Sequence, residues 1–245
     1  MRFNMGGTQM GRLVFGWLLI SSFGVYAQTN QELDAGDPKY LEDQFYLGIT
    51  YNSLLDKPAD FTQRNLSYGL QGGIIKDMPL NTERTFALGI GLGYAVNSYY
   101  SNLWASETSG GVEYSIIDGD VILVGDQSIT VKRNKIETHL IEVPLEFRWR
   151  NSSPTEYKFT RIYAGMKFGY IFSGRSKLVT TSDKSSFENQ DIRKFQYGLM
   201  LNFGYNTFNV HIYYALSNLL EDNATVATES LQVKPLRIGF IFYIL

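Results

Sequence analysis

The feature that most constrains this chain is a period of two. In eight separate stretches, near residues 45–52, 66–75, 86–100, 139–150, 161–173, 194–205, 208–217 and 237–244, apolar side chains occupy every second position. In the clearest, Phe208, Val210, Ile212, Tyr214 and Leu216 alternate with Asn209, His211, Tyr213, Ala215 and Ser217. A strand points successive side chains to opposite faces, so each stretch reads as a strand with one greasy face. Composition agrees. Aromatics are 15% of the 245 residues, with 17 Tyr and 23 Gly, whereas a helical bundle favours Ala, Glu, Lys and Leu.

The connections alternate in length. Short ones fall at 77–82, 151–155 and 206–207, and long ones at about 54–64, 101–136, 176–191 and 219–232. In an up-and-down meander this puts every long loop on one side and every short turn on the other. Outer-membrane barrels share that asymmetry, with short periplasmic turns and long extracellular loops. The expected fold is therefore all-β, an eight-stranded up-and-down antiparallel transmembrane β-barrel with long extracellular loops. Within 101–136, Val112 to Ile117 and Val121 to Val124 read as a weak hairpin of their own, suited to folding over the barrel mouth or docking on a partner, and strands simply extended beyond the membrane are an equal alternative for this loop.

A soluble eight-stranded barrel also alternates, but turns its polar face outward. Residue size separates the two. The polar parity is also the small parity, as Gly89, Gly91, Gly93, Gly165 and Gly169 show, and small residues suit a narrow interior. The other parity carries large aromatics, right for lipid and wrong for water. Tyr51, Tyr94, Trp149, Tyr205 and Tyr214 stand at strand ends, where interfacial girdles form. The lumen then receives Glu142, Glu146, Arg148, Arg161, Lys167, Lys194 and His211. Charges of both signs in a narrow interior point to a paired, closed lumen, because an unpaired buried charge costs several kcal/mol.

The N-terminus reads as an address. Arg2 and Arg12 precede a 13-residue apolar run, Leu13 to Val25, and Val25-Tyr26-Ala27 supplies a cleavage site. The run is shorter than the roughly 20 residues a spanning helix needs. Residues 1–27 are thus expected to be a cleavable signal peptide, with Met10 an alternative start. Residues 28–43 would form a periplasmic N-terminal extension and 44–245 the barrel. The chain has no Cys, which removes a lipoprotein anchor, disulfides and thiolate chemistry. A formal charge of −2 gives no reason to expect nucleic acid. At the other end, Arg237-Ile-Gly-Phe-Ile-Phe-Tyr-Ile244 places Gly two residues after a polar residue, with apolar residues beyond. It looks like the strand that the barrel assembly machinery reads, although the chain closes on Leu245 in place of Phe.

From about Phe45 to Leu245 the chain resembles the outer-membrane β-barrel family that includes the PorT-like proteins of Gram-negative bacteria. FYLGITYN at 45–52, YGLQGGIIKD at 68–77, GIGLGYAVNSYYSN at 89–102, VPLEFRWRN at 143–151, YGLMLNFGYNTFNVHIYYALSNL at 197–219 and PLRIGFIFYIL at 235–245 carry the likeness. The resemblance implies an eight-stranded barrel and a role among structural or interaction components, some of which serve type IX protein secretion. It brings no catalytic motif, so no functional residue is carried over.

The residues themselves show no enzyme. His211 shares the inward parity with Ser217, but a nucleophile also needs a base held by an orienting group. His139 falls on the lipid parity. Glu142 and Glu146 lie about 13 Å apart along one strand face, beyond the roughly 5–9.5 Å of a glycosidase pair. Gly89-Ile-Gly-Leu-Gly93 is GxGxG inside a strand and lacks the spacing of a phosphate cradle. Catalytic, cofactor-binding and metal residues are therefore all expected to be none, and no cofactor is implied. The expected partners are outer-membrane lipid, the assembly machinery and other outer-membrane or secretion proteins. Two functions stay open: a non-enzymatic structural or interaction barrel accessory to secretion, and a narrow porin passing small solutes. N-terminal sequencing of the protein from cell envelopes is expected to begin at Gln28; a start at Met1 or Met10 would remove the signal peptide.

Overall fold

The structure, a computed structural model, describes residues 43–124, 127–151, 160–205 and 208–244. The expected signal peptide and the extension up to residue 42 lie outside the described residues, as do residues 125, 126, 152–159, 206, 207 and 245, which take in most of the turn expected at 151–155 and all of that expected at 206–207. Fourteen strands follow in order: β1 (Asp43–Leu55), β2 (Tyr68–Pro79), β3 (Phe86–Tyr100), β4 (Leu103–Thr108), β5 (Gly111–Ile116), β6 (Val121–Val124) and β7 (Gln127–Arg150), then β8 (Thr160–Thr180), β9 (Lys184–Glu188), β10 (Phe195–Tyr205), β11 (Phe208–Ala215), β12 (Thr225–Val226), β13 (Glu229–Ser230) and β14 (Lys234–Ile244).

Eight of them, β1, β2, β3, β7, β8, β10, β11 and β14, pair antiparallel in chain order. The ring closes where β14 returns to β1, from Phe45 opposite Ile244 to Leu55 opposite Lys234. A closed ring leaves the wall no edge strand, so backbone groups at membrane depth find partners within it. The outward parity is as read from the sequence: Phe45 is 63% exposed while the adjacent Tyr46 is 2% exposed.

The alternation in β8 breaks at Ile171 for a structural reason. Leu140 pairs with Ile171, but His139 pairs with Ser173, so Phe172 is an extra residue on β8. Such a bulge shifts the facing by one. Ile171 and Gly174 therefore both point inward, and the inward positions continue at Ser176, Leu178 and Thr180.

The bounds of the long loops and the pairing of the short strands in 101–136 need correction, while the alternative of strands extended beyond the membrane holds for 127–136. Much of 101–136 and 176–191 is strand: β7 runs for 24 residues and β8 for 21, against the roughly 9–11 needed to cross a bilayer. Beyond the membrane the outward parity turns polar, with Arg133, Arg175 and Lys177, so the apolar alternation fades while the ladder continues. Nor do Val112–Ile117 and Val121–Val124 pair with each other. β5 pairs with β4, Ala105 opposite Tyr114, and β6 pairs with the start of β7. Gly119 and Asp120, both in the left-handed region, make a tight turn between them that bridges Asp118 to Val121.

The β4–β5 hairpin and β12–β13 form a separate four-stranded sheet. It folds over the mouth: Ala105, Tyr114 and Val226 join Leu54, Tyr99, Leu140, Ile171, Leu219 and Leu220 in one buried apolar cluster.

Close strand approach depends on missing side chains at two wall positions. A Cβ on Gly165 would run into the Leu145 carbonyl, and one on Gly239 into the Ile49 carbonyl. Gly239→Val is expected to abolish the difference in gel migration between unheated and boiled protein, whereas Gly110→Ala, whose Cβ would meet only Thr108 Oγ1 at 3.9 Å, keeps that difference.

Candidate functional site

The lumen below the apolar cap is built from inward-facing polar residues in two tiers. Nearer the short-turn side, Asp77 at the end of β2 lies between two guanidinium groups of β7. Arg148 Nη1 donates to Asp77 Oδ1 at 2.8 Å, and Arg150 Nη2 donates to Asp77 Oδ2 at 2.6 Å. Arg148 Nε also donates to Glu146 Oε2 at 2.7 Å, and its Nη1 reaches Gln44 Oε1 at 3.1 Å. Arg150 Nε donates to the Arg84 carbonyl at 2.8 Å. The Arg148 guanidinium lies over the Tyr163 ring, 4.5 Å from its centroid. None of these charged side chains is more than 1% exposed.

The second tier centres on Glu142. Arg237 Nη1 meets Glu142 Oε1 at 2.9 Å and Lys167 Nζ meets Oε2 at 3.0 Å. Lys167 also donates to Gln71 Oε1 at 2.6 Å, and Arg237 stacks on Tyr213 at 4.2 Å. Asn202 joins the tiers: its Nδ2 donates to Tyr243 Oη at 2.9 Å and to Glu146 Oε1 at 3.4 Å, while its Oδ1 meets His211 Nδ1 at 2.5 Å. Among the described residues, five buried cations (Arg148, Arg150, Arg161, Lys167, Arg237) share the lumen with three acids (Asp77, Glu142, Glu146). Tyrosine faces take part of the surplus positive charge, since a ring quadrupole attracts a cation.

The expected lumenal set is largely brought together. Glu142, Glu146, Arg148, Arg161, Lys167 and His211 are buried inside. Lys194 is not: it lies just before β10, exposed at the outer rim, because the strand starts one residue later. Asp77, assigned from sequence to a turn, is the last inward residue of β2 and the hinge of the first tier. Arg150 and Arg237 belong to the set as well. All three lie on the inward parity: Asp77 with Gln71 and Ile75, Arg150 with Arg148, and Arg237 with Gly239 and Ile241.

These contacts tie down the titratable and hydroxyl groups of the lumen. Glu142 and Glu146 are clamped by different cations. His211 is held by Asn202, while Ser217 Oγ donates to Gln196 Oε1 at 3.3 Å and accepts from the Tyr197 N–H at 3.1 Å. His139 faces outward beside Tyr94, whose Oη is 2.6 Å from its Nδ1, with Phe172 completing an aromatic cluster at the girdle. Among the described residues no three His, Asp or Glu side chains are grouped to hold a metal. Outside the membrane, Tyr114 of β5 has its phenol pushed up by burial, and exchanges hydrogen bonds with Asn189 at 3.0–3.1 Å.

A closed eight-stranded wall, apolar outside and charge-paired inside, is the architecture of an outer-membrane barrel. The family described as outer membrane protein beta-barrel domain matches residues 26–221, and the chain belongs to it. Its place is the outer membrane. Among solved structures, Ail, the attachment invasion locus protein of Yersinia pestis, is similar at 12% identity, over 82% of this chain and 97% of that one, with a TM-score of 0.32. No curated protein matches the chain.

Removing one partner of a buried ion pair leaves the other charge uncompensated. Asp77→Asn is therefore expected to cost about 3–5 kcal/mol in reversible unfolding from detergent or bilayer. Asp43→Asn, which breaks an exposed contact to Lys76, is expected to cost about 1 kcal/mol or less. Equal midpoints for the two variants would contradict the assigned hinge role of Asp77.

Proposed function

We propose that the protein is a non-enzymatic, non-conducting outer-membrane barrel that serves as a structural or interaction component, PorT-like in role and accessory to protein secretion of the type IX kind. The filled lumen carries this reading. A solute path needs a continuous polar opening, and here two tiers of ion pairs lie beneath an apolar plug made of Leu54, Tyr99, Ile171 and Leu219 with their neighbours. Water and ions would have to break buried pairs to pass.

What remains available to partners is the outside. The β4–β5 hairpin turns Ala105 and Tyr114 into the plug while leaving Glu107 and Glu113 exposed, a rigid acidic edge above the membrane. Such a head suits recognition of another envelope protein better than passage of a solute. The resemblance of residues 45–245 to PorT-like proteins supports the same reading, and the pattern at 237–244 supports insertion by the barrel assembly machinery.

Native-membrane isolation of the tagged protein in mild detergent, followed by mass identification of co-purifying chains and by planar-bilayer recording, tests it. The expected result is a stoichiometric partner and no stepwise conductance. A barrel that emerges alone and conducts in discrete steps would replace this reading with the narrow porin.

A further inference from the structure

A cleft of about 730 Å³ opens at the outer rim, between β8 and the connection that leads from β9 to β10. Its origin is a lapse in strand pairing. The Ile171 N–H donates to the Lys194 carbonyl at 2.8 Å, and the Asn189 N–H donates to the Gly174 carbonyl at 2.8 Å. Between those two bonds the chain turns aside, with the Ile192 N–H on the Asn189 carbonyl at 3.3 Å, and leaves the bulged residues Phe172 and Ser173 facing the gap.

Three observations describe what the gap suits. Arg175 and Lys194 both line it. Lys194 is exposed and has no ion-pair partner among the described residues, and Arg175 has only its Nε engaged, to Glu188 Oε2 at 3.2 Å. The floor is aromatic: Phe172 is half exposed, and just below it the Tyr170 and Phe195 rings stand 5.2 Å apart on the lipid face. Glu188 presents its carboxylate in the same cleft, held by the Gly174 N–H at 2.7 Å and Ser173 Oγ at 3.3 Å.

We propose that this cleft binds the phosphorylated sugar headgroup of an outer-leaflet glycolipid. The phosphate takes Arg175 Nη and Lys194 Nζ in charge-assisted hydrogen bonds. Sugar hydroxyls donate to the remaining lone pairs of Glu188, a carboxylate that repels a bare phosphate. The acyl chains descend over Phe172, Tyr170 and Phe195, at the level where interfacial aromatics and headgroups meet. A soluble sugar phosphate would make no use of that apolar floor. The inference depends on membrane embedding alone and stands whether or not the barrel serves secretion.

The test uses the full chain in phosphatidylethanolamine nanodiscs containing bisphosphorylated lipid A, with native mass spectrometry counting glycolipid retained after detergent release. The wild-type protein is expected to retain one molecule. The double variant R175Q/K194Q is expected to lose about thirtyfold in retention, from roughly 1 kcal/mol for each basic side chain at a headgroup. The control K132Q/R133Q, which removes two exposed charges elsewhere on the outer strands, is expected to retain it like wild type. Every protein is first checked for heat-modifiable gel migration, so a misfolded variant is replaced by R175K/K194R, which keeps the charge and is expected to bind. Three outcomes would overturn the proposal: an equal loss in K132Q/R133Q, undiminished retention of dephosphorylated lipid A, or displacement of the glycolipid by millimolar inorganic phosphate.

Discussion

Everything in this protein follows from a backbone that cannot leave a hydrogen-bonding group unpaired in hydrocarbon. The pairing of β14 with β1 meets that requirement over eleven residue pairs. Once the ring is closed, the side chains have only two places to go. The outward ones must suit lipid, and the inward ones must pack and pair with one another. The glycines at 165 and 239 serve the first demand by letting strands approach, and the Arg–Tyr–carboxylate tiers serve the second.

The lumen divides by chemistry along its length. Toward the short turns it is held by charge, with Asp77, Glu146 and Glu142 each shared between two cations or between a cation and an amide. Toward the outside it is held by apolar packing supplied largely by the connections. Buried ion pairs are weak sources of net stability, because desolvation offsets much of their attraction. They do make wrong arrangements costly, so a strand slipped by one residue would put Arg148 or Glu142 into lipid. The salt-bridged half thereby acts on register, and the apolar half joins the outer sheet to the wall.

Most of the wall was legible because lipid and lumen impose opposite demands on alternate residues. Phe45, Leu47, Ile49 and Tyr51 against Tyr46, Gly48, Thr50 and Asn52 can scarcely be read another way. Legibility ended where that contrast ended. Beyond the membrane the outward face turns polar and the inward face mixes Asn134 with Ile136, so Lys132 to Ile136 read as loop although the ladder continues through them. The partner of β5 was equally hidden, since Val112 to Ile117 offers an apolar face without saying which neighbour covers it. Asp77 was missed because an acid beside Met-Pro looks like a turn, and only its two arginines, seventy-odd residues away, make it interior. The breaks were informative too: Ile171, which interrupts the alternation, marks the bulge that opens the rim cleft.

The junction of β1 and β14 has a topological consequence. With Phe45 opposite Ile244, the two ends of the barrel segment are neighbours, and the wall is a cycle with no privileged first strand. Circular permutation, with the ends joined by a short linker and the chain reopened at 80–85, would leave every ladder of the wall in place. The order in which the strands are threaded is then a matter of synthesis and insertion; the finished ring does not record it.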